Sequence, residues 1–249
     1  MIDIHTHILP NIDDGAKDVS VSAEMLRMEA EQGVKELVFT PHYYGTQDVN
    51  EFLLKRAEAR VKVNEHIPRG MKVRLGAEVL LKGVNDPSDE TLCKLAIEGT
   101  QYVLFELPFT SRWPERLLDR ISDFIAETGY TPIIAHVERY EETLENPETV
   151  TRLVQMGCLI QVNTHAFVSK HTRRFAFALL KHGLVHCIGT DAHNAERRAP
   201  DYENAKELLR KKKKSDEFTN AQWCMKKVLA NEAIRTPFGQ VRKLGKFYF

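Results

Sequence analysis

Two short motifs near opposite ends of the chain carry residue types that bind metals. One contains His5 and His7, and the other contains Asp191 and His193. In an extended strand alternate side chains share a face, so both members of each pair project in the same direction. Imidazole and carboxylate ligands together suit zinc, manganese or iron. A carboxylate-rich site with open coordination positions is typical of metal-assisted hydrolysis.

Short apolar segments rich in β-branched residues alternate with longer segments of helical spacing. The predicted strands are residues 2–4, 36–40, 72–77, 102–105, 131–135, 159–162 and 185–189. The predicted helices are residues 21–32, 49–66, 114–128, 148–156 and 172–182. This alternation predicts an α/β fold with a parallel barrel or a closed array of strands.

The last fifty residues break this alternation. We expect a single domain over residues 1–249, with a less regular tail from about residue 234. The four lysines at residues 211–214 are interpreted as a solvated helix end, with a docking patch for an acidic protein or an anionic membrane as the alternative. Residues 240–249 are basic and aromatic.

Residues that can bind metals follow six of the predicted strands. In a parallel barrel, functional side chains lie at the carboxyl ends of the strands. A single histidine or glutamate at such a position is more often structural or solvated. Their recurrence predicts a polynuclear metal site, and the candidates are His5, His7, Asp13, Asp14, His42, Glu78, Glu106, His136, Asp191 and His193.

Composition limits the partners and the compartment. The chain has 249 residues, 43% of them hydrophobic, with 35 basic and 35 acidic side chains. The balanced charge argues against nucleic acid as the principal partner. The four cysteines are widely spaced without a C-x-x-C motif, which is typical of reduced thiols in a cytosolic protein. We expect a cytoplasmic protein without stable membrane insertion, because no apolar span of membrane length occurs.

The combined motifs resemble those of the polymerase and histidinol phosphatase (PHP) superfamily. The resemblance covers roughly residues 1–210 and is strongest to the bacterial manganese-dependent protein-tyrosine phosphatases of capsule and exopolysaccharide operons. It is carried by Asp3-Ile4-His5-Thr6-His7, Ile12-Asp13-Asp14-Gly15, Thr40-Pro41-His42, Gly76-Ala77-Glu78, Ala135-His136-Val137-Glu138-Arg139-Tyr140 and Asp191-Ala192-His193-Asn194. Val137 and Ala199 depart from the family pattern, in which proline is common at both positions.

The resemblance implies a distorted (β/α)7 TIM-like barrel of the PHP type that holds three divalent metal ions. Mn²⁺ is the expected ion, and iron and zinc are the alternatives. The implied ligands are His5, His7, Glu78 and Asp191 for the first ion, Glu78, Glu106 and His136 for the second, and Asp14, His42 and His193 for the third. Spacing alone leaves Asp13 and Asp14 equivalent, and the family pattern favours Asp14.

The resemblance also implies phosphate binding by Arg139 and Arg198, whose planar guanidinium groups match phosphoryl oxygens. Our hypothesis is that a hydroxide bridging two metals attacks the phosphorus of phosphotyrosine. No cysteine has an arginine six positions later, so the C-x5-R loop of cysteine-based tyrosine phosphatases is missing. The cysteines are therefore not expected to act as the nucleophile.

The expected substrate is a phosphotyrosine protein, and the resemblance points to a bacterial tyrosine kinase of exopolysaccharide or capsule synthesis. Three alternatives remain open at this point. The first is a phosphatase of histidinol phosphate or another small molecule, and the second is a nuclease-like phosphodiesterase. The third is a metal-stabilised regulator that binds a kinase without catalysis. The oligomeric state is left open.

Overall fold

Seven parallel strand lines form the barrel, and two of them are interrupted. The computed structural model describes residues 1–249. Its parallel strands are β1 (Ile2–Thr6), β2 (Glu36–Phe39), β3 (His42–Tyr43), β4 (Lys72–Leu75), β5 (Glu78–Leu80), β6 (Tyr102–Glu106), β7 (Thr131–Ile134), β8 (Leu159–Asn163) and β9 (Cys187–Gly189). All seven predicted strands are present.

The two interruptions separate β2 from β3 and β4 from β5. Strand β2 pairs with β1 and β4, whereas β3 pairs with β5, so the sheet shifts between the two halves of each line. Pro41 has no backbone N–H and cannot donate to the ladder. Its carbonyl still accepts a bond from the backbone N–H of Glu78 at 3.1 Å, which joins the neighbouring lines across the interruption. The sequence prediction did not include these breaks.

The first and last strands meet at their carboxyl ends. The backbone N–H of Asp191 donates to the carbonyl of His5 at 2.8 Å, and the N–H of His7 donates to the carbonyl of Ala192 at 2.9 Å. With the order β1, β2/β3, β4/β5, β6, β7, β8, β9, these bonds bring the sheet round on itself. The predicted distorted (β/α)7 architecture is confirmed.

Helices follow the strands and cover the outside of the barrel. They are α1 (Val19–Glu31), α2 (Val49–Val63), α3 (Asp89–Lys94), α4 (Glu115–Thr128), α5 (Glu141–Glu145), α6 (Glu148–Gln155), α7 (Thr164–Val168), α8 (Arg173–Lys181), α9 (Tyr202–Lys211) and α10 (Ser215–Leu229). All five predicted helices are present with slightly shifted ends. None of the helices combines the length and the apolar composition that crossing a bilayer requires.

Helix α10 covers the amino end of the barrel. Its residues Met225, Val228 and Leu229 pack with strand residues of the barrel interior in one buried cluster. The side-chain oxygen of Gln222 accepts a bond from the backbone N–H of Ile2, the first residue of β1, at 2.8 Å. Because α10 closes this end, the functional residues have open access only at the carboxyl end.

The C-terminal tail is irregular over residues 230–242 and then forms a hairpin of β10 (Lys243–Leu244) and β11 (Phe247–Tyr248). The inner face of the hairpin packs on α5 and α8. The Tyr248 hydroxyl donates to the carbonyl of Leu144 at 2.9 Å, and its ring lies 5.0 Å from that of Phe175. The tail therefore has an ordered end, which the sequence did not predict.

Candidate metal centre

The predicted metal ligands converge at the carboxyl end of the barrel although they come from different strands and loops. Three groups have ligand atoms that all lie within 4.8 Å of one another. They are His5, His7, Glu78 and Asp191; His42, Glu78 and Glu106; and His7, Asp14, His42 and His193. His136 joins the second group through Glu78 and Glu106, as described below.

The fully buried carboxylate of Glu78 lies at the centre. Its Oε2 atom is 3.2 Å from Nε2 of both His5 and His7 and 3.1 Å from Nδ1 of His42. Its Oε1 atom is 2.8 Å from Nε2 of His136. A carboxylate surrounded by four imidazoles can bridge ions, because its two oxygens carry several lone pairs whereas each imidazole nitrogen offers one.

Asp191 and Glu106 complete the two groups that share Glu78. Asp191 Oδ1 lies 3.6 Å from Nε2 of His5 and 3.5 Å from Nε2 of His7. Glu106 Oε1 lies 3.5 Å from Nε2 of His136. These distances are typical of neighbouring ligands around a common cation. The arrangement matches the ligand sets implied for the first two ions, with His42 as an additional donor near the second.

The two adjacent aspartates face different partners in the structure. Asp14 Oδ1 is 3.4 Å from Nε2 of His42 and 3.4 Å from Nε2 of His193, so this carboxylate faces the cluster. Asp13 instead accepts a bond from Nδ1 of His7 at 2.7 Å and from the backbone N–H of His42 at 2.9 Å. Asp13 therefore orients the imidazole of His7 and anchors the backbone of His42, a role typical of residues that support metal ligands.

Proton affinities in the cluster reflect its buried carboxylates. Burial opposes the charged form of His7, but bonds to Asp13 and Glu78 outweigh it and raise the pKa of His7 to about 10. Burial likewise opposes charge on His136, yet the carboxylates of Glu106 and Glu78 raise its pKa to about 9. The carboxylates thus require positive charge nearby, which protons or metal cations can supply.

Unsatisfied buried atoms show that the residues fit metal ions. Glu78 Oε2, His42 Nδ1 and His193 Nε2 are buried without a hydrogen-bond partner. Leaving such atoms unpaired is costly. The Nε2 atoms of His5 and His7 also lie only 3.2 Å apart and face the same carboxylates. Divalent cations bound by these atoms would satisfy all of them.

Two of the candidate ligands have a left-handed backbone. His136 has φ 32° and Asp191 has φ 54°, and each lies two residues after the last residue of a strand. This conformation is uncommon outside glycine and clusters at functional sites. It turns each side chain sharply from the strand direction into the cluster. The sequence gives no signal for this strain.

Both predicted phosphate-binding arginines contact Asp191. Arg139 Nη1 donates to Asp191 Oδ2 and Arg198 Nη2 donates to Asp191 Oδ1, each at 3.0 Å. The two side chains are 38% and 40% exposed and line a cavity of about 450 Å³ beside the cluster. Their remaining N–H groups are available to an anion in this cavity.

Two buried amides of β8 support the ligands, and of these Gln161 was not among the residues predicted from the sequence. Gln161 Oε1 lies 3.1 Å from Nδ1 of His5 and accepts the backbone N–H of His136 at 2.7 Å. Asn163 donates to Asp191 Oδ2 at 2.9 Å. Gln161 is fully buried and alternates with apolar residues of β8, and a polar side chain inside a strand of this kind was the available signal.

Histidines outside the proposed set do not join the cluster. His165 is 74% exposed and lies near Asp201, and His186 is buried, where its Nδ1 accepts the backbone N–H of Ile160. His66, His171 and His182 also belong to none of the donor groups. These five histidines therefore offer no donor atom to the cluster.

Two exposed aromatic rings border the cluster. Tyr44 is 42% exposed and stacks on His42 with a centroid distance of 5.1 Å. Phe109 is 52% exposed and stacks on His136 at 5.8 Å, with the Arg139 guanidinium carbon 5.0 Å from its centroid. We call these two residues the aromatic rim. The rim offers apolar surface directly beside an otherwise polar site.

A parallel barrel with a histidine and carboxylate cluster at its carboxyl end belongs to the class of α/β barrels built to hold divalent cations. Comparison with known proteins gives the family. The chain belongs to the capsular polysaccharide synthesis CpsB/CapC family, whose model matches residues 1–228. The resemblance found in the sequence is thereby confirmed.

Individual relatives agree with the family. The chain is 34% identical over 215 residues to tyrosine-protein phosphatase YwqE of Bacillus subtilis, covering 80% of this chain and 79% of the relative. It is 31% identical over 230 residues to tyrosine-protein phosphatase CpsB of Streptococcus pneumoniae, covering 85% and 90%.

A solved structure extends the similarity to nearly the whole chain. It comes from work on YwqE of Bacillus subtilis and CpsB of Streptococcus pneumoniae, described as unique metal-dependent tyrosine phosphatases. The TM-score is 0.81 at 28% sequence identity, and the match covers 98% of this chain and 100% of that chain.

Proposed function

We propose that this protein is a metal-dependent protein-tyrosine phosphatase. The observation that carries the proposal is the convergence of nine imidazole and carboxylate donors beside two arginines, at the open end of the barrel. Family membership supports it, because the relatives YwqE and CpsB are named tyrosine-protein phosphatases. Three divalent ions, most favourably Mn²⁺, match the three donor groups.

The ions would be held by His5, His7, Asp14, His42, Glu78, Glu106, His136, Asp191 and His193. When bound, divalent ions lower the pKa of water and neutralise charge on a phosphoryl group. Asp13 and Gln161 keep the imidazoles of His7 and His5 in orientation through their Nδ1 atoms.

Arg139 and Arg198 would bind and orient the phosphoryl group. Each guanidinium donates one N–H to Asp191 and has further N–H groups that can donate to phosphoryl oxygens in the cavity. In-line attack by water oxygen then forms one P–O bond while the bond to the tyrosine oxygen breaks. The phenolate leaves readily, because the conjugate phenol has a pKa of about 10.

The aromatic rim favours an aryl over an alkyl phosphate. Phe109 and Tyr44 flank the donor cluster with exposed ring faces, on which a phosphotyrosine ring can stack. Histidinol phosphate carries its imidazole three carbons away from the phosphate oxygen, whereas the ring of phosphotyrosine is bonded directly to that oxygen and lies beside the rim when the phosphate is at the cluster. We therefore favour phosphotyrosine within this scaffold, in a protein of capsular polysaccharide synthesis such as its tyrosine kinase.

A thiol-based mechanism conflicts with the state of the cysteines. Cys158, Cys187 and Cys224 are buried, and burial raises the pKa of the Cys224 thiol to about 11 and that of the other two still further. A buried, protonated thiol is a poor nucleophile.

The test is a substrate panel on protein loaded with Mn²⁺ and on protein stripped with a chelator. We expect the loaded protein to hydrolyse a phosphotyrosine peptide, and the stripped protein to regain this activity when Mn²⁺ is restored. Faster turnover of histidinol phosphate or of a dinucleotide diester would overturn the assignment of phosphotyrosine as the substrate. Tight binding of a phosphotyrosine peptide without turnover at any metal loading would favour a regulator.

A further inference from the structure

The C-terminal hairpin has an outer face that nothing in the molecule covers. Side chains alternate between its two faces. Val241, Lys243 and Tyr248 point inward, where Val241 is fully buried and Tyr248 contacts α5 and α8. The residues in between are exposed, and they are Arg242, Leu244, Phe247 and Phe249.

The register places these four residues on one surface. Leu244 pairs with Phe247 across the ribbon, and Arg242 and Phe249 exchange both backbone hydrogen bonds at 2.8 and 3.0 Å. Leu244, Phe247 and Phe249 are 72%, 60% and 52% exposed. We call this surface the hairpin face. Leaving three large apolar side chains in water on so small an element is unfavourable unless something else covers them.

Unpaired cations surround the hairpin face. Residues 233–249 contain no aspartate or glutamate. Lys243 pairs with Glu145 on the inner side at 2.7 Å, but Arg242 and Lys246 form no ion pair. The Arg174 side chain at the start of α8 also has no acidic partner and lies 5.8 Å from the Phe247 ring centroid. The surface is therefore apolar at its centre and cationic at its edge.

We propose that the hairpin face docks the protein on an anionic lipid surface. Aromatic and aliphatic side chains can enter the boundary between headgroups and acyl chains, while lysine and arginine bind the headgroups. A stable protein interface needs roughly 20 to 30 residues a side. The hairpin face offers only four residues and Arg174, which suits shallow insertion into lipid better than a protein partner.

Docking by this face would hold the metal centre near the lipid. The hairpin is fixed to Leu144 and Glu145 of α5, a helix that starts two residues after Arg139. It is also fixed to Phe175 of α8, and α8 follows a loop that lines the cavity beside the centre. The match to the family model ends at residue 228, before the hairpin begins.

The test is sedimentation of the full chain with phosphatidylcholine vesicles, with and without phosphatidylserine. We expect binding only to the anionic vesicles, weakened by added salt. Each lysine or arginine near an anionic surface strengthens binding roughly fivefold, so R242Q/K246Q should weaken it roughly 25-fold. At high salt the ionic contribution is screened and the apolar contribution remains, so under these conditions L244S/F247S should weaken vesicle binding more than R242Q/K246Q does.

The matched control is L54S/V61S on α2. Leu54 and Val61 are 61% and 67% exposed, but lie among both acidic and basic side chains. We expect this variant to bind vesicles like the unchanged protein, and all variants to keep their turnover of a soluble phosphotyrosine peptide. Absence of anionic vesicle binding, or equal loss in the control, would overturn the proposal. A different outcome would be that the protein binds no vesicles but forms concentration-dependent dimers, which only L244S/F247S loses. This outcome would show that the hairpin face contacts a second copy of the chain.

Discussion

Replacing Phe109 by leucine tests whether the aromatic rim selects aryl phosphates. Leucine keeps apolar bulk at this position but removes the ring face. Phe109 is held against His136 at 5.8 Å and by the Arg139 guanidinium at 5.0 Å, and it is still 52% exposed. About half of the ring surface is therefore accessible to a substrate ring. The backbone and the donor cluster need not move in the variant.

The size of the effect follows from the contacts that are lost. An aromatic pair contributes about 0.5–1.5 kcal/mol beyond the area it buries, which corresponds to a factor of roughly 2 to 12 in affinity. The cation–π contact with Arg139 contributes about 0.5–1 kcal/mol and helps to position a group that binds every phosphate. We therefore expect a common loss for all phosphates and an additional 2- to 12-fold loss for aryl compounds alone.

The assay compares competitive inhibition by phenylphosphonate and by methylphosphonate, because inhibition constants remain measurable for compounds that are not hydrolysed. In F109L the ratio of the methylphosphonate constant to the phenylphosphonate constant should fall by the factor given above. The control is F238L, since Phe238 is a partly exposed ring of the C-terminal tail beside the His182 turn. An unchanged ratio in F109L, or an equal change in F238L, would refute the role of the rim.

Four further substitutions test the centre and the fold. E78Q should lower bound manganese in elemental analysis and kcat/KM by at least roughly 100-fold, because it removes the central bridging charge. R139A should raise KM roughly 10- to 100-fold with normal metal content. C187S should keep its kcat, whatever its melting temperature. Burial lowers the pKa of His186 from 6.5 to about 4, so the unfolded chain binds more protons in this range and stability falls as the pH drops from 6.5 to 4. In urea titrations at these two pH values, the loss of unfolding free energy should be about 3 kcal/mol smaller in H186Q than in the unchanged protein.

The sequence predicted the barrel because its strands and helices carry strong local patterns. The seven strands are short apolar runs, and the five predicted helices have clear amphipathic spacing, so local propensity and tertiary fold agree. Helices α9 and α10 were not predicted because they follow one another without an intervening strand, so the alternation of strands and helices does not extend to them, although α9 buries a regular face of Tyr202, Ala205 and Leu209. The interpretation of residues 211–214 as a helix end agrees with the ends of α9 and the start of α10.

The candidate ligands could be named from the sequence because their residue types recur at strand ends. Asp13 and Asp14 could not be separated, since both follow the same strand and only the loop geometry turns one toward His7 and the other toward His193. The aromatic rim was not predicted either. Phe109 lies in a loop after β6, where no periodicity reports which side chains reach the site.

Closure of the barrel has a consequence for how the protein is made. The hydrogen bonds that join His5 to Asp191 and His7 to Ala192 link residues that are synthesised early with residues that are synthesised late. A nascent chain on the ribosome cannot close its sheet until β9 and the following turn have emerged, because this segment supplies the hydrogen-bond partners of His5 and His7. Until then the first donor group lacks Asp191. Metal loading must therefore be a late event, and partly translated chains hold no complete cation cage.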